Sequence, residues 1–286
     1  MFKILRKTAQ TGLVTIGYPK KTAHLSTQFR GAPRFAFSGW RDARPAAEAC
    51  PTAAISIQES DGARRVTVDY GLCVYCGQCA EADPSGAVEM TREFELAALD
   101  RRNLVLTAEY AVDNEGIQYD LKKLHHGYWP VEETSEILER NVRARIRQVL
   151  GRSLAIREVD AGSCNGCEVE ITALSNPIYD AERLGIHFVA SPRHADMLLV
   201  TGPVTRNMEL ALLKAYRATP DPKVVVAVGA CGISGGIFGR NYATLGGVDQ
   251  VVPVDVFIPG CPPRPEALLH GILLAVGRIE QKGLPQ

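Results

Sequence analysis

Eight cysteines are the residues most able to do chemistry in this sequence of 286 residues, and their spacing separates them into two groups of four. The front group combines one isolated cysteine with a C-x2-C-x2-C run: Cys50, Cys73, Cys76 and Cys79. The rear group begins with a C-x2-C pair: Cys164, Cys167, Cys231 and Cys261. In a reducing compartment, cysteines are more often metal ligands or catalysts than disulfides. The sequence therefore predicts two metal centres.

The front group matches half of a pattern that normally holds two clusters. In bacterial ferredoxins the run C-x2-C-x2-C-x3-C-P occurs twice, and the fourth cysteine of each run binds the cluster held by the other run. Here Asp83 replaces the fourth cysteine of the second run, and the first run keeps only Cys50. Its three earlier positions fall on Trp40, Ala43 and Ala46. One cluster site is therefore predicted to be lost and the other complete, with Asp83 as a surface or turn residue.

Structural zinc is the alternative for the front group. Zinc sites usually combine two separated C-x2-C pairs, and a third cysteine at this close spacing is unusual for them. Three thiolates spaced in this way can surround one face of a [4Fe-4S] cluster while backbone amides donate to its sulfurs. We therefore favour a first [4Fe-4S] cluster at the front group.

The rear cysteines lie in glycine-rich segments at the ends of apolar runs. Cys164 and Cys167 lie in GSCNGCEVE, Cys231 follows KVVVAVG, and Cys261 follows VDVFIPG. Such runs are typical of parallel strands buried on both faces, and ligands of open parallel sheets gather at the carboxyl ends of the strands. A redox disulfide or half a zinc site explains the pair alone. A second [4Fe-4S] cluster explains all four cysteines.

The chain divides into four predicted parts. Residues 1–34 form a basic arm without acidic residues, suited to an anionic membrane face or an acidic partner, although a solvated tail fits equally well. Residues 35–95 form the front domain, with a hairpin that turns at Asp61 and Gly62. Residues 96–150 form a connector and linker helix, and residues 151–286 form the rear domain.

The predicted fold is an α+β ferredoxin-like domain followed by an α/β domain with a flavodoxin-like parallel sheet. Residues 91–133 show no clear period and are expected to be irregular. A linker helix is expected to begin at Thr134 or Ser135. In the rear domain, residues 208–217 and 265–278 are expected to form crossover helices between parallel strands.

Charge and hydropathy argue against two classes of protein. The 32 basic and 32 acidic residues balance, so nothing indicates a nucleic-acid partner. No apolar run approaches the roughly 18 to 20 residues of a membrane-spanning helix, and the N-terminal residues do not resemble a secretory signal. We expect a cytoplasmic chain that does not cross a bilayer.

Several stretches resemble known redox subunits. The stretches SLAIREVDAGSCNGCEVE, AVGACGISGGIF and IPGCPPRPEALLHGI resemble the small subunit of group 4 membrane-bound [NiFe] hydrogenases of the formate hydrogenlyase type, and more distantly the B-type subunit of respiratory complex I. The spaced pair Cys164 and Cys167 is similar to the hydrogenase branch. The stretches FRGAP, CVYCGQC and TREFELAALDRRNLV resemble the two-cluster ferredoxin subunit of the same complexes, the I-type subunit of complex I.

The resemblance implies an electron-transfer subunit that catalyses no reaction alone. The rear group would hold the proximal cluster, beside an active site on a separate large subunit. Membrane-arm subunits and a soluble or subunit electron donor or acceptor would be further partners, at the inner face of the cytoplasmic membrane. Glu168 and Glu170 would lie beside this cluster, either as a polar edge or with a part in proton movement or in contact with the large subunit. The alternatives are a complex I-like or other non-hydrogenase module, and a zinc-stabilised scaffold without redox function.

Metal analysis distinguishes the redox hypotheses from the scaffold. Two [4Fe-4S] clusters require about eight iron atoms per chain, with visible absorption that bleaches on reduction. A zinc scaffold would be colourless. We expect anaerobically purified protein to be brown and to contain iron rather than zinc, as measured by plasma emission and visible absorption before and after dithionite.

Overall fold

The computed structural model describes residues 2–60, 62–127 and 153–285. The predicted linker helix lies outside these residues, and so does Asp61 of the predicted hairpin turn. Up to residue 127, the described chain forms these helices and strands: α1 Phe2–Thr11, β1 Pro33–Phe35, α2 Arg44–Glu48, β2 Ile55–Ser60, β3 Ala63–Asp69, α3 Gln78–Ala82, β4 Val88–Met90, β5 Val105–Val112 and β6 Gln118–His126.

The front part is built on an antiparallel sheet of four strands in the order β2-β3-β5-β6, and β1 pairs with β4 in a separate two-stranded sheet. The pairing of β2 with β3 confirms the predicted hairpin. Alternate residues of β3 are fully buried, among them Val66 and Val68, so one face of this sheet supplies the core.

The expectation that residues 91–133 are irregular is wrong, because β5 and β6 lie within them. Strand β6 is an edge strand whose residues are mostly exposed, so it has no continuous apolar face. The pairing of β5 with β6 also shifts register between Glu109 and Tyr110 and between Ala111 and Val112. Such bulges interrupt the two-residue alternation by which a strand is recognised in sequence.

The rear part forms these elements: β7 Leu154–Asp160, α4 Gly166–Ala173, β8 Ile186–Phe188, β9 Met197–Thr201, α5 Arg206–Ala218, β10 Val224–Val228, α6 Gly229–Ser234, β11 Val256–Ile258 and α7 Pro265–Ala275. Its five strands are parallel, in the order β8-β7-β9-β10-β11. This is the doubly wound order 2-1-3-4-5. The predicted α/β domain is confirmed, and α5 is a crossover helix. However, α7 follows the last strand and is therefore not a crossover.

The predicted basic arm consists of two different segments. The described side chains of α1, those of residues 2–4 and 6–11, are exposed, as expected of an arm. The residues that follow bind the rear part, because the Ile16 N–H donates to the Ile178 carbonyl at 2.9 Å and the Thr15 hydroxyl donates to the Pro177 carbonyl at 2.8 Å. Tyr18 is buried in the rear hydrophobic core. The arm therefore extends along the rear domain before the chain enters β1.

The front and rear parts share one hydrophobic core. Ala98 and Phe257 exchange two backbone hydrogen bonds of 2.9 and 2.8 Å, so the segment after β4 lies alongside β11. One cluster of buried side chains joins Tyr70 of the front part to Val200 and Ala227 of the rear sheet. The two parts are therefore packed together.

Apolar side chains occupy the three positions where cysteines are missing. Trp40, Ala43 and Ala46 are each 0–1% exposed, and the Trp40 ring lies 5.3 Å from the ring of Phe35. The Gln118 side chain donates to the Trp40 carbonyl and accepts from the Ala43 N–H, both at 2.9 Å. These interactions hold the backbone of the segment in place.

Asp83 is a turn residue, as predicted, but it is buried rather than on the surface. Its carboxylate accepts hydrogen bonds from the Ala87 N–H at 2.6 Å and the Val88 N–H at 3.0 Å. It also accepts from the Ser85 hydroxyl at 2.7 Å. Because these bonds close the loop that leads into β4, Asp83 has a structural role.

We expect Trp40→Ala to lower the free energy of unfolding by about 3–5 kcal/mol, because it leaves a cavity in a packed aromatic cluster. Trp40→Phe, which keeps a ring, should cost less. Urea unfolding followed by circular dichroism measures both. The iron content of the folded protein should equal that of the wild-type protein, and a selective loss of iron would contradict a role for Trp40 in packing alone.

Candidate metal centres

The front cysteines line one cavity, which we call the first site: Cys50, Cys73, Cys76 and Cys79. Cys50 follows α2, Cys73 and Cys76 lie on the loop after β3, and Cys79 lies in α3. Tyr75 and Gly77 both have positive φ angles, 57° and 85°. Left-handed backbone is rare for a bulky residue such as tyrosine, and strained residues of this kind cluster at functional sites.

Two backbone amides point at sulfur atoms of the first site. The Ala54 N–H donates to Cys50 Sγ at 3.2 Å, and the Tyr75 N–H donates to Cys73 Sγ at 3.4 Å. Apolar side chains, including Ile55 and Val68, line the same cavity. Hydrogen bonds to sulfur combined with apolar surroundings are the means by which proteins tune the reduction potential of an iron-sulfur group.

Burial raises the pKa of two thiols of the first site. It raises the pKa of the Cys73 thiol, which the Tyr75 N–H opposes and the neighbouring thiols reinforce. Burial, followed by the influence of Cys50 and Cys76, raises the pKa of Cys79 to about 11. These thiols therefore hold their protons in the absence of a compensating positive group, and binding of a metal group would release them.

The rear cysteines, which we call the second site, lie at the carboxyl edge of the parallel sheet, as predicted. Cys164 and Cys167 follow β7, at the start of α4. Cys231 lies in α6 directly after β10, and Cys261 follows β11. Because these strands are parallel, their carboxyl ends meet at one edge and bring together cysteines that are up to 97 positions apart in sequence.

The thiols of the second site lie close enough to influence one another. Burial raises the pKa of Cys167, and Glu168 and the other three cysteines raise it further. Burial, followed by Cys261, Cys164 and Glu168, raises the pKa of Cys231 to about 11. Burial thus disfavours the free thiolates of Cys167 and Cys231, and a positively charged metal group would offset this penalty.

Two glycines leave room beside the sulfurs of the second site. A Cβ atom on Gly229 would lie 2.9 Å from Cys167 Sγ, and a Cβ atom on Gly236 would lie 2.8 Å from Cys231 Sγ. Distances this short are essentially never found between a real Cβ atom and its neighbours. The backbone therefore approaches the thiols more closely than any other residue type would allow.

Glu168 and Glu170 lie in α4 beside the second site. The Thr201 hydroxyl, at the end of β9, donates to one carboxylate oxygen of Glu168. The other oxygen is buried and has no hydrogen-bond partner among the described residues. Burial raises the pKa of Glu170. The two carboxylates thus form a partly desolvated polar edge.

Both sites fit a four-iron group in the chemistry of their donors. Within the described ranges, no three His, Cys, Asp or Glu side chains converge as ligands of a single metal ion. A [4Fe-4S] cluster held by four thiolates takes one thiolate per iron, so its ligands do not meet at one point. The shared cavity, the amides aimed at sulfur and the glycine contacts are consistent with such a group.

Sequence spacing does not identify two residues that the structure places beside the sites. Arg264 follows Cys261 by three positions. Its guanidinium lies 4.5 Å from the centre of the Phe29 ring and forms a salt bridge of 2.6 Å with Glu266. Ser234, at the end of α6, contacts the front part of the chain. Both depend on contacts between distant segments, which no local motif reveals.

Comparison with known proteins places the chain among oxidoreductase subunits. A family model described as the 20 kDa subunit of NADH ubiquinone oxidoreductase matches residues 164–275, which contain the whole second site. Formate hydrogenlyase subunit 7 of Escherichia coli is 51% identical over 153 residues, which are 54% of this chain and 60% of that protein.

Two archaeal proteins are also similar. The probable membrane-bound hydrogenase subunit mbhJ of Pyrococcus furiosus is 52% identical over 143 residues, which are 50% of this chain and 84% of that protein. A chain of an archaeal membrane-bound sulfane sulfur reductase is 37% identical with a TM-score of 0.39, over 51% of this chain and 79% of that one. Because the match covers most of mbhJ at this identity, the chain belongs to the family of hydrogenase small subunits that includes mbhJ.

Of the sequence relatives named above, mbhJ is described as a subunit of a membrane-bound hydrogenase. Among the helices that the structure describes, none is both long and apolar enough to span a bilayer. The identities cover about half of the chain, and the chain spans only 60% of formate hydrogenlyase subunit 7.

We expect Gly236→Ala to remove the second site's share of the iron, about four of about eight atoms, because the new methyl group would displace Cys231 Sγ. Gly239→Ala is the matched control, since Gly239 has a similar φ of 57° but a Cβ atom there would have no neighbour within 4 Å. Iron analysis and electron paramagnetic resonance measure the loss. Equal iron contents in the two variants would contradict the proposed crowding of the sulfur.

Proposed function

We propose that this chain relays electrons through two [4Fe-4S] clusters, one at each site, to or from the active site of a partner large subunit in a membrane-bound hydrogenase complex. The observation that carries this proposal is the presence of two complete groups of four cysteines on segments that share one hydrophobic core. The similarity to formate hydrogenlyase subunit 7 and mbhJ supports the hydrogenase partner.

The front part is proposed to be a ferredoxin-type subunit that is fused to the hydrogenase-type small subunit and has lost one cluster site. The antiparallel hairpin and the positions of the front cysteines support this origin. The buried Trp40, Ala43 and Ala46 support the loss, because they fill the space where the missing ligands would lie. The ferredoxin-type part would therefore carry one cluster, where its two-cluster relatives carry two.

The chain's own residues hold the clusters and set their environment. When bound, a [4Fe-4S] cluster accepts and releases one electron at a time. The apolar walls of the first site exclude water, and the N–H groups of Ala54 and Tyr75 stabilise negative charge on sulfur. In the second site, Glu168 adds negative charge near Cys167. Hydrogen bonds and charge of this kind set the relative potentials of the two clusters.

A loop next to the second site is the proposed docking surface for the large subunit. Directly after α6, the apolar side chains of Ile237, Phe238 and Tyr242 are exposed, Tyr242 at 92%. Val169, in the helix that follows Cys167, is also exposed. Exposed apolar side chains grouped in this way often mark protein interfaces, and here they adjoin the cysteines that would exchange electrons with the partner.

Helix α1 is the proposed contact with the membrane side of the complex. It exposes Phe2 and Ile4 together with the cations of Lys3, Arg6 and Lys7, and no acidic residue precedes Asp42. Basic segments with exposed apolar side chains bind the surfaces of anionic bilayers. This supports a peripheral position at the inner face of the cytoplasmic membrane, near the membrane-arm subunits.

A complex I-like module without a nickel site is the second candidate. The family match to the 20 kDa subunit of NADH ubiquinone oxidoreductase favours it. The distinguishing feature lies on the partner, since a [NiFe] site requires four metal-binding cysteines in the large subunit. In this chain, all eight cysteines are assigned to the two sites.

The test is purification of the complex through a tag on this chain, followed by reduction with hydrogen. We expect a large subunit with four metal-binding cysteines to copurify and hydrogen to reduce both centres. Cys50→Ser should abolish the first centre and electron delivery to an external acceptor, while hydrogen still reduces the second centre. Thr52→Ser, two residues away, should behave like the wild-type protein.

Each component of the proposal has its own contrary outcome. A colourless chain that binds zinc would contradict the electron relay. A copurified large subunit without the four cysteines would keep the relay but replace the hydrogenase with the complex I-like module. A Cys50→Ser protein that retains both paramagnetic centres would show that the first site has been assigned wrongly.

A further inference from the structure

One side-chain hydrogen bond joins the segments that carry the two sites. The Ser234 hydroxyl lies 2.9 Å from the Gly71 carbonyl of the front part and 2.9 Å from the Ala230 carbonyl of its own helix. Gly71 precedes Cys73 by two residues, and Ser234 follows Cys231 by three. The bond therefore connects the loop of the first site with the helix of the second site.

The Gly71 peptide is held in place by Asp69 and Arg101. Its N–H donates to Asp69 Oδ1 at 2.9 Å, and Asp69 Oδ2 pairs with the Arg101 guanidinium at 2.6 Å. A Cβ atom at Gly71 would lie 2.6 Å from Cζ of Arg101, so the guanidinium covers the α-carbon directly. The carbonyl that accepts from Ser234 thus belongs to a peptide whose position is already fixed.

The Ser234 side is equally constrained by the turn that ends α6. The Gly235 N–H donates to the Cys231 carbonyl at 2.8 Å, and the Gly236 N–H donates to the Ala230 carbonyl at 3.1 Å. A hydroxyl group has one proton, so Ser234 donates to either the Gly71 or the Ala230 carbonyl at a time. The turn that holds Ser234 is itself bonded to the Cys231 carbonyl through the Gly235 N–H, so the contact with Gly71 connects to the segment that carries Cys231.

We propose that Ser234 is a positioning residue whose hydroxyl fixes the first-site loop against helix α6 and thereby sets the separation of the two sites. This inference rests on the proposed electron relay. The transfer moves one electron from one cluster to the other, without a bond made or broken and without a proton. Because electron tunnelling slows steeply with distance, a small change in this separation changes the rate.

The test compares Ser234→Ala with Thr219→Val in the full chain with both centres reduced. Thr219 is the matched control, because its hydroxyl lies 2.9 Å from the carbonyl four residues earlier, Ala215, just as the Ser234 hydroxyl lies 2.9 Å from the Ala230 carbonyl. The Thr219 bond stays within the rear part and does not join the two sites. The first measurement is the magnetic interaction between the two reduced centres. We expect it to weaken or broaden in Ser234→Ala and to stay unchanged in Thr219→Val.

The second measurement is amide hydrogen exchange in residues 69–73. Loss of one hydrogen bond should increase exchange there about fivefold, the equivalent of about 1 kcal/mol. Ser234→Thr, which keeps the hydroxyl, should restore both properties. It also provides a folded comparison if Ser234→Ala proves unstable.

The outcomes separate this inference from the proposed function. If Ser234→Ala keeps both centres, with the magnetic interaction between them and the amide hydrogen exchange of residues 69–73 unchanged, the role of Ser234 is overturned. The electron relay would remain intact. A Ser234→Thr protein that behaves like Ser234→Ala would also overturn it. Absence of two paramagnetic centres in the wild-type protein would instead overturn the relay itself.

Discussion

The two backbone hydrogen bonds between Ala98 and Phe257 are the interaction on which the rest of the structure depends. Strand β11 lies at the edge of the parallel sheet, and an edge strand has backbone N–H and C=O groups that no neighbouring strand pairs with. Ala98, in the segment after β4, supplies hydrogen bonds to this edge, so part of β11 is paired by the same chain. Beside this strand, one cluster of buried side chains is shared by the two parts, and both metal-binding segments lie on this packed unit.

The two sites are assembled by different physical means that lead to similar surroundings. The first site is local, because a loop with positive φ angles at Tyr75 and Gly77 turns three nearby cysteines towards one cavity. The second depends on topology, because parallel strands bring distant cysteines to one edge. In both, burial disfavours the free thiolate. The thiols are therefore prepared for a positively charged group rather than for reaction with solvent.

The sequence reveals those features whose signals are local. The fully buried runs of β9 and β10 and the hairpin of β2 and β3 could be predicted, because apolar runs and alternation are properties of short windows. Strand β6 could not be predicted from the sequence, because it is an exposed edge strand whose pairing with β5 contains bulges. The docking of Tyr18 and the contact of Ser234 were equally hidden. Both arise from segments more than 70 positions apart, whose proximity only the fold determines.

The packing around Trp40 makes this segment a poor place for further ligands. Cysteine at position 40 would leave a cavity, and cysteines at positions 43 and 46 would overfill a segment in which both alanines are fully buried. The fourth position is also committed, because the carboxylate of Asp83 closes the loop before β4. Each single cysteine substitution in this segment is therefore expected to cost stability before any metal could bind. Installing another metal site here would require replacing the four residues together.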